Sequence, residues 1–141
     1  MADGTVIIDT GPLVAYLVRR DSDHEWAVTR FKQLQPPFLT CQPVLAETAF
    51  LVQRVRADLK PFFDFIRSGI VATPFDVLED SLGLAKLIAK YSQLPMSLAD
   101  ACLVRLAEQH PKARVFTLDQ HFRLYRRNGR QVIATIMPSE T

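Results

Sequence analysis

The sequence predicts an α/β fold of three layers, in which helices cover a central parallel sheet. Short β-branched runs alternate with longer segments of helical period, a pattern that favours parallel strands joined by right-handed crossovers. Two of the runs stop at an aspartate, at Asp9 and Asp119. The length of 141 residues is close to the commonest size of one domain, so we expect a single domain over residues 1–141.

The first half of the chain alternates predicted strands and helices. The run Thr5–Ile8 predicts a strand, and Gly11 and Pro12 open a helix directly after it. Ser22 and Glu25 have the spacing of a capping box at the start of a second helix. The predicted elements that follow are a strand over 38–41, a helix from Pro43 to about Arg56, a short helix from Pro61 to Gly69, and a strand over 70–73.

The second half continues the alternation. Asp76 and Glu79 repeat the capping pattern, which predicts a helix that begins there. The apolar stripe expected to face the core on this helix is Leu78, Leu82, Ala85 and Ile88. The remaining predicted elements are a helix over 97–109, a strand over 115–118 that ends before Asp119, and a last strand over 132–136.

Composition narrows the class of protein. Apolar residues make up 48% of the chain and charged residues 23%, which is ordinary for a globular domain, and no apolar run approaches the ~18 residues of a membrane span. Cys41 and Cys102 lie in apolar segments without a metal or redox motif, so we expect buried free thiols and a cytoplasmic location. The three histidines lack metal-ligand spacing and are expected at the surface.

Two candidate functional carboxylates follow predicted strands. Ligands of open α/β sheets bind at the carboxyl ends of strands, where Asp9 and Asp119 are expected. If their strands are parallel neighbours, both carboxylates emerge at the same edge. The simpler interpretations are that Asp9 only caps the helix after it and that Asp119 only forms a turn.

Two further candidates lie on predicted helices. Val44 and Phe50 are helical neighbours of Glu47, which places its carboxylate on an apolar face where an unpaired charge is costly. The alternative is a glutamate at the rim of the core that reaches water. Asp100 stands three residues after Ser97 and can complete a capping box. Its helix is apolar on nearly every side, so we expect that helix in the interior with its amino end at a polar pocket.

Together the four carboxylates indicate a metal site. Like charges in one pocket raise each other's pKa values unless a cation compensates. Oxygen ligands favour Mg²⁺ or Mn²⁺ over zinc. The net charge of +2 does not by itself imply a polyanionic partner. An arginine cluster could bind phosphates or could be an ordinary solvated surface; its members are Arg114, Arg123, Arg126, Arg127 and Arg130.

Four segments carry these acids in a fixed order. They are 6–13 with Asp9, 45–47 with Glu47, 97–101 with Asp100, and 117–122 with Asp119. In order and spacing they resemble the motifs of the PIN-domain ribonucleases, and in particular the VapC-type toxins of bacterial and archaeal toxin–antitoxin systems. The resemblance covers nearly the whole chain. It departs after Asp119, where many relatives have another acid and this chain has Gln120 and His121.

The resemblance implies an α/β/α fold, metal-dependent cleavage of single-stranded RNA, an antitoxin partner and a homodimer. On this hypothesis Asp9, Asp100 and Asp119 bind Mg²⁺ or Mn²⁺ directly or through water, while Glu47 holds a metal or orients the attacking water. The supporting candidates, for which turn roles are equally open, are Thr10 and Thr117.

Two other functions are compatible with parts of the sequence. A non-catalytic PIN scaffold that binds RNA or protein would not need four carboxylates. A phosphatase of the haloacid dehalogenase type also has an aspartate after its first strand, but it needs a second aspartate where this chain has Gly11.

Overall fold

The computed structural model describes residues 4–139 and is built around a five-stranded sheet. The strands are β1 (Val6–Ile8), β2 (Phe38–Leu39), β3 (Val71–Ala72), β4 (Arg114–Phe116), β5 (Arg126–Arg127), β6 (Gln131–Val132) and β7 (Thr135–Ile136). The helices are α1 (Thr10–Leu17), α2 (His24–Gln33), α3 (Gln42–Arg54), α4 (Lys60–Ser68), α5 (Ser81–Lys90) and α6 (Leu98–Gln109), with a short 3₁₀ helix at Gln120–Arg123.

The main sheet has the order β3-β2-β1-β4-β7, and all of its neighbouring strands are parallel. β1 lies at its centre, with Val6 opposite Phe38 on one side and Arg114 on the other. Every residue of β1 is fully buried, as expected for a strand with helices on both faces. The predicted α/β fold with a central parallel sheet is therefore confirmed.

Three helices follow their sequence signals closely. Pro43 lies in the first turn of α3, where its missing N–H group leaves no helical bond unmade. Gly69 ends α4 at a φ of 81°, in the left-handed region that glycine tolerates. α6 begins after Ser97 and buries almost its whole length, including Leu103 and Leu106.

The α2 and α5 starts differ from the predictions. The Asp21 side chain accepts a hydrogen bond from the Asp23 backbone, so α2 begins at His24 and no Ser22–Glu25 capping box forms. Likewise the Asp76 side chain holds a turn by accepting from Leu78 N (2.9 Å), and α5 begins four residues later than that turn suggests.

The predicted inward stripe of α5 was wrong as a consequence at Leu78, Leu82 and Ala85, and right at Ile88. Because the helix starts at Ser81, its buried residue is Leu84, and Leu87 and Ile88 pack partly against the core. Leu78 is 85% exposed and Leu82 is 69% exposed.

The carboxyl-terminal segment also differs from its prediction. The predicted strand over 132–136 is two strands: β6 pairs antiparallel with β5 in a separate hairpin, and β7 joins the main sheet beside β4. Cys41 and Cys102 are buried free thiols, as predicted. Each is close enough to hydrogen-bond to the other, and together with burial this contact raises the pKa of Cys41. No helix in residues 4–139 is long and apolar enough to cross a membrane.

Candidate active site

The site lies at the carboxyl edge of the sheet, where β1 and β4 end side by side. Ile8 pairs with Phe116, so the residues that leave the two strands, Asp9 and Asp119, reach the same edge. The predicted proximity of the two aspartates follows from this parallel pairing. Asp9 is held in place by a backbone hydrogen bond from its N–H group to the Phe116 carbonyl (2.9 Å).

Asp9 caps a helix and faces the site at the same time. It is the N-cap of α1, and its Oδ1 accepts a hydrogen bond from Thr10 N (2.7 Å). Its Oδ2 accepts from the Thr117 hydroxyl (2.7 Å). Burial raises the pKa of Asp9 to about 6, against the opposing effect of these two hydrogen bonds, and the charges of Asp100 and Asp119 raise it further.

Thr117 joins the two strand ends. Its hydroxyl donates to Asp9 and accepts from the backbone N–H group of Asp119 (2.9 Å). Asp119 also caps the 3₁₀ helix, because its Oδ1 accepts from His121 N (2.9 Å). The His121 ring lies beside it, with Nδ1 3.3 Å from the same oxygen. His121 is exposed, as predicted, but it borders the site.

Asp100 reaches the same space from the amino end of α6. The Ser97 hydroxyl accepts a hydrogen bond from Asp100 N (3.0 Å), so the capping interaction suggested by the sequence does form. Capping through the backbone leaves the Asp100 carboxylate free to face the pocket. Burial raises its pKa, and the nearby charge of Asp119 adds to the effect, while hydrogen bonds from Tyr125 and Ser97 oppose it.

Glu47 lines the pocket, but its predicted position on the buried face of α3 was wrong. The buried face is formed by Val44, Thr48 and Val52, whereas Phe50 is 62% exposed. Thr48 can face the core because its hydroxyl donates to the Val44 carbonyl of the same helix (2.7 Å). Glu47 is exposed, and its Oε1 accepts a short hydrogen bond from the Thr10 hydroxyl (2.6 Å).

The acid pocket formed by these groups has a volume of about 390 Å³. It is lined by Asp9, Thr10, Gly11, Glu47, Leu51, Ser97, Asp100, Leu118 and Asp119. The three aspartates each offer an oxygen, and these oxygens lie within 4.8 Å of one another. Glu47 is outside that group of three, although it borders the same cavity.

The donor set suits a hard divalent cation. Carboxylate oxygens are the ligands that Mg²⁺ and Mn²⁺ prefer, and each oxygen that accepts one hydrogen bond keeps a second lone pair. No lysine or arginine is among the residues lining the acid pocket. Burial raises the pKa values of Asp9 and Asp100, and no basic side chain in the pocket lining opposes this effect. Asp9, Asp100 and Asp119 are therefore the residues that fit a metal.

Tyr125 belongs to the site although no sequence pattern indicated it. Its hydroxyl donates to Asp100 Oδ2 (3.0 Å), and its ring is fully buried against Tyr91 and Phe122. Burial and the charge of Asp100 raise the pKa of Tyr125, so it stays a hydrogen-bond donor. Contact with Asp100 comes from tertiary packing between segments 25 residues apart.

Gly11 allows α1 to approach the loop after β4. A Cβ atom at this position would lie 3.1 Å from Leu118 Cβ, which is tighter than ordinary side-chain contacts. The small residue therefore keeps the amino end of α1, and with it Asp9, close to the segment that carries Asp119.

Comparison with known protein families identifies the family of this chain. The family model of the PIN domain matches residues 6–128, which include all four acids. The chain belongs to the PIN domain family. No curated protein sequence gives a significant match.

Among solved structures, this PIN domain is similar to VapC20 of Mycobacterium tuberculosis, described as a Sarcin-Ricin loop cleaving toxin. The TM-score is 0.68 over 82% of this chain and 91% of that chain, and the sequences are 19% identical. At this identity the likeness concerns the fold.

Proposed function

We propose that this PIN domain is a Mg²⁺- or Mn²⁺-dependent endoribonuclease that cleaves single-stranded RNA. One observation carries the proposal: two aspartates that follow β1 and β4 and one from the first turn of α6 meet in an open pocket without a lysine or arginine in its lining. A structural cluster of carboxylates normally has a cationic partner within the protein. The acid pocket instead presents its carboxylates at the sheet edge where α/β folds bind ligands.

Asp9, Asp100 and Asp119 are proposed as the metal ligands. A bound divalent ion supplies charge neutralisation at the phosphate and lowers the pKa of water. The chain itself holds the three carboxylates in fixed directions. Thr117 positions Asp9 and the Asp119 backbone, and Tyr125 positions Asp100.

Glu47 is proposed to orient the attacking water. It lies beside the group of three aspartates and not within it. The Thr10 hydroxyl fixes one of its carboxylate oxygens, and the other oxygen has no hydrogen-bond partner within residues 4–139. That oxygen is available to accept a hydrogen bond from water that adds to the phosphorus atom.

We further propose that the protein is the toxin of a type II toxin–antitoxin pair, with an antitoxin partner and a homodimeric state. The fold likeness to a toxin supports this. So do large apolar side chains at the surface, because such groups are often covered by protein partners. Phe50 and Phe63 lie on α3 and α4, and Leu78 and Leu82 lie before and in α5.

The nuclease proposal is tested with Asp9→Asn and Asp100→Asn on single-stranded RNA, with Mg²⁺ or Mn²⁺ and again with chelator. We expect cleavage by the native chain that chelator stops, and loss of cleavage in both variants. Asp64→Asn is the matched control, because Asp64 forms an exposed ion pair with Lys60 outside the pocket. Cleavage that survives both pocket substitutions contradicts the proposal.

The toxin proposal is tested separately by expression in bacterial cells. Induction of the native chain should arrest growth, and induction of Asp100→Asn at the same level should not. Growth unaffected by native protein that cleaves RNA in solution indicates a PIN nuclease that is not a toxin.

A further inference from the structure

A second pocket at the far end of α1 and α3 contains three arginines. Its volume is about 430 Å³, and we call it the arginine pocket. It is lined by Leu17, Val18, Arg19, Arg20, Arg56, Ala57, Asp58 and Pro61. The arginine side chains come from the segments that follow α1 and α3, so the pocket lies at the carboxyl ends of both helices.

α1 and α3 run side by side from the acid pocket to the arginine pocket. At the amino end of α1 the Thr10 hydroxyl donates to Glu47 in the middle of α3, and beyond the carboxyl ends of both helices the Arg20 guanidinium donates to the Val55 carbonyl. Thr10 and Gly11 at the start of α1 line the acid pocket, and Leu17 at its end lines the arginine pocket. The two pockets therefore lie at opposite ends of α1.

One face of α1 borders both pockets. On α1, Gly11 borders the acid pocket and Val18, seven residues later, borders the arginine pocket. Seven residues are close to two full turns, so both positions lie on one face. On α3, Leu51 borders the acid pocket, and Arg56 in the segment after the helix borders the arginine pocket.

Two of the three arginines are available to a ligand. Arg19 and Arg56 are exposed and have no ion-pair partner within residues 4–139. Arg20 is exposed as well, but its contact with Val55 gives it a structural role. Asp58 is the one acidic residue of the lining, and its carboxylate accepts from Lys60 N (2.9 Å). The arginine pocket thus keeps an excess of positive charge.

The arginine cluster noted in the sequence is less suited to this task. Arg114 begins β4 and so lies at the opposite edge of the sheet from the acid pocket. The Arg126 guanidinium donates to the carbonyl groups of Arg123, Leu124 and Tyr125, which holds it against its own chain.

We propose that the arginine pocket binds the phosphate backbone of the single-stranded RNA whose scissile phosphate lies in the acid pocket, an inference that rests on the proposed nuclease function. Carboxylates repel RNA, so the attraction for its backbone has to come from outside the acid pocket. α1 has eight residues, so at ~1.5 Å per residue it spans ~12 Å between the two pockets. At ~3.4 Å per stacked nucleotide this corresponds to about four nucleotides.

The test measures binding of a fluorescein-labelled 12-nucleotide single-stranded RNA by anisotropy, in buffer with EDTA so that metal-dependent cleavage is absent. The variant is Arg19→Gln with Arg56→Gln, which removes two exposed charges and leaves Arg20 in place. For single strands the logarithm of the affinity falls with the logarithm of salt concentration by ~0.7 per phosphate contact. In this variant we therefore expect the slope of log affinity against log salt concentration to be smaller in magnitude by about 1.4 than in the native chain. We also expect its affinity for the RNA at 0.1 M salt to be roughly tenfold weaker.

The matched control is Lys86→Gln with Lys112→Gln, two exposed lysines on α5 and after α6, outside both pockets. It changes the net charge equally and should leave the slope unchanged. An equal loss in the control, or an unchanged slope in the arginine variant, overturns the inference and leaves the pocket to another anionic ligand such as an acidic peptide.

Cleavage assays on the same proteins separate this inference from the nuclease proposal. If the native chain cleaves RNA and the arginine variant binds RNA with the native slope, the arginine pocket inference alone fails. If the native chain neither binds nor cleaves single-stranded RNA, both fail.

Discussion

Helix α6 contributes to two groups of carboxylates that differ in their cations. At its amino end Asp100 joins Asp9 and Asp119, with no basic side chain in the pocket lining. In its last two turns Arg105 lies between Asp80 and Glu108, with a bidentate contact to Asp80 and a 2.6 Å bond to Glu108. We call this second group the paired cluster.

The paired cluster shows how this fold neutralises carboxylates that serve structure. Both acids raise the pKa of Arg105 above its usual range, so the guanidinium stays charged at any ordinary pH. Glu108 also accepts from Asn128 N (2.6 Å), which ties the β5–β6 hairpin to α6. The residues that line the acid pocket include no such partner, and this difference supports the proposal that the pocket binds a cation from solution.

The largest expected effect is on metal affinity. Asp100→Asn should weaken Mn²⁺ binding, measured by electron paramagnetic resonance, by on the order of 1000-fold. Loss of a residue that only supports a metal ligand weakens metal affinity about 10–100-fold, and loss of a ligand itself should weaken it further. Arg105→Met in the paired cluster should leave Mn²⁺ affinity unchanged. Equal losses in the two variants would remove the distinction between the clusters.

The second effect is on the pH dependence of stability without metal. Asp9 has a pKa of about 6 in the folded chain against 3.8 as its ordinary value, so between these values the folded state binds more protons. The free energy of unfolding should therefore fall as pH rises from about 4 to about 6, by about 3 kcal/mol. Urea titrations should show a steeper fall in the native chain than in Asp9→Asn, in which Asp100 alone of the two keeps a raised pKa.

Asp64→Asn is the control for that series, because Asp64 is an exposed acid in an ion pair with Lys60. It should keep the native slope. A native chain whose stability is flat between pH 4 and pH 6 contradicts the buried, uncompensated state of Asp9.

The third effect is on folding stability through the paired cluster. Arg105→Met leaves Asp80 and Glu108 without their cation and should lower the free energy of unfolding by about 2 kcal/mol, less than for a fully buried pair because the group is partly exposed. Lys60→Met, which breaks the exposed pair with Asp64, should cost less than about 0.5 kcal/mol. Similar losses in both variants would mean that the paired cluster is no more than a surface feature.

The smallest expected effect is on Mn²⁺ affinity, after removal of one hydroxyl group. Tyr125→Phe removes the hydrogen bond to Asp100 and should weaken Mn²⁺ binding about tenfold. Tyr91→Phe is the matched control, because its hydroxyl accepts from Arg126 N and its ring lies 5.1 Å from that of Tyr125. Calorimetric titration that finds equal affinities in the two variants would assign Tyr125 a packing role alone.

Much of the fold could be predicted because local signals and tertiary structure agree there. β-branched runs that stop at Asp9 and Asp119 mark adjacent parallel strands, and each strand end delivers its side chain to the same edge. The capping roles that the simpler interpretations gave these two acids are also present. Capping uses one carboxylate oxygen or the backbone, so it does not compete with a role in the pocket.

The predictions that failed concern which face of a helix packs against the core. Glu47 was placed on a buried face because Phe50 was counted as a core residue, but Thr48 takes the inward position. Leu78, which precedes α5, and Leu82, which lies in α5, were likewise assigned to the core but are exposed. Tyr125 was missed because its contact with Asp100 depends on packing between distant segments.

Anomalous diffraction from crystals soaked in Mn²⁺ would test the central claim most directly, since it locates the cation itself. The account predicts a peak between the carboxylates of Asp9, Asp100 and Asp119 and none beside Asp80 and Glu108. A pocket without a peak at saturating Mn²⁺, or a peak at the paired cluster alone, would contradict it.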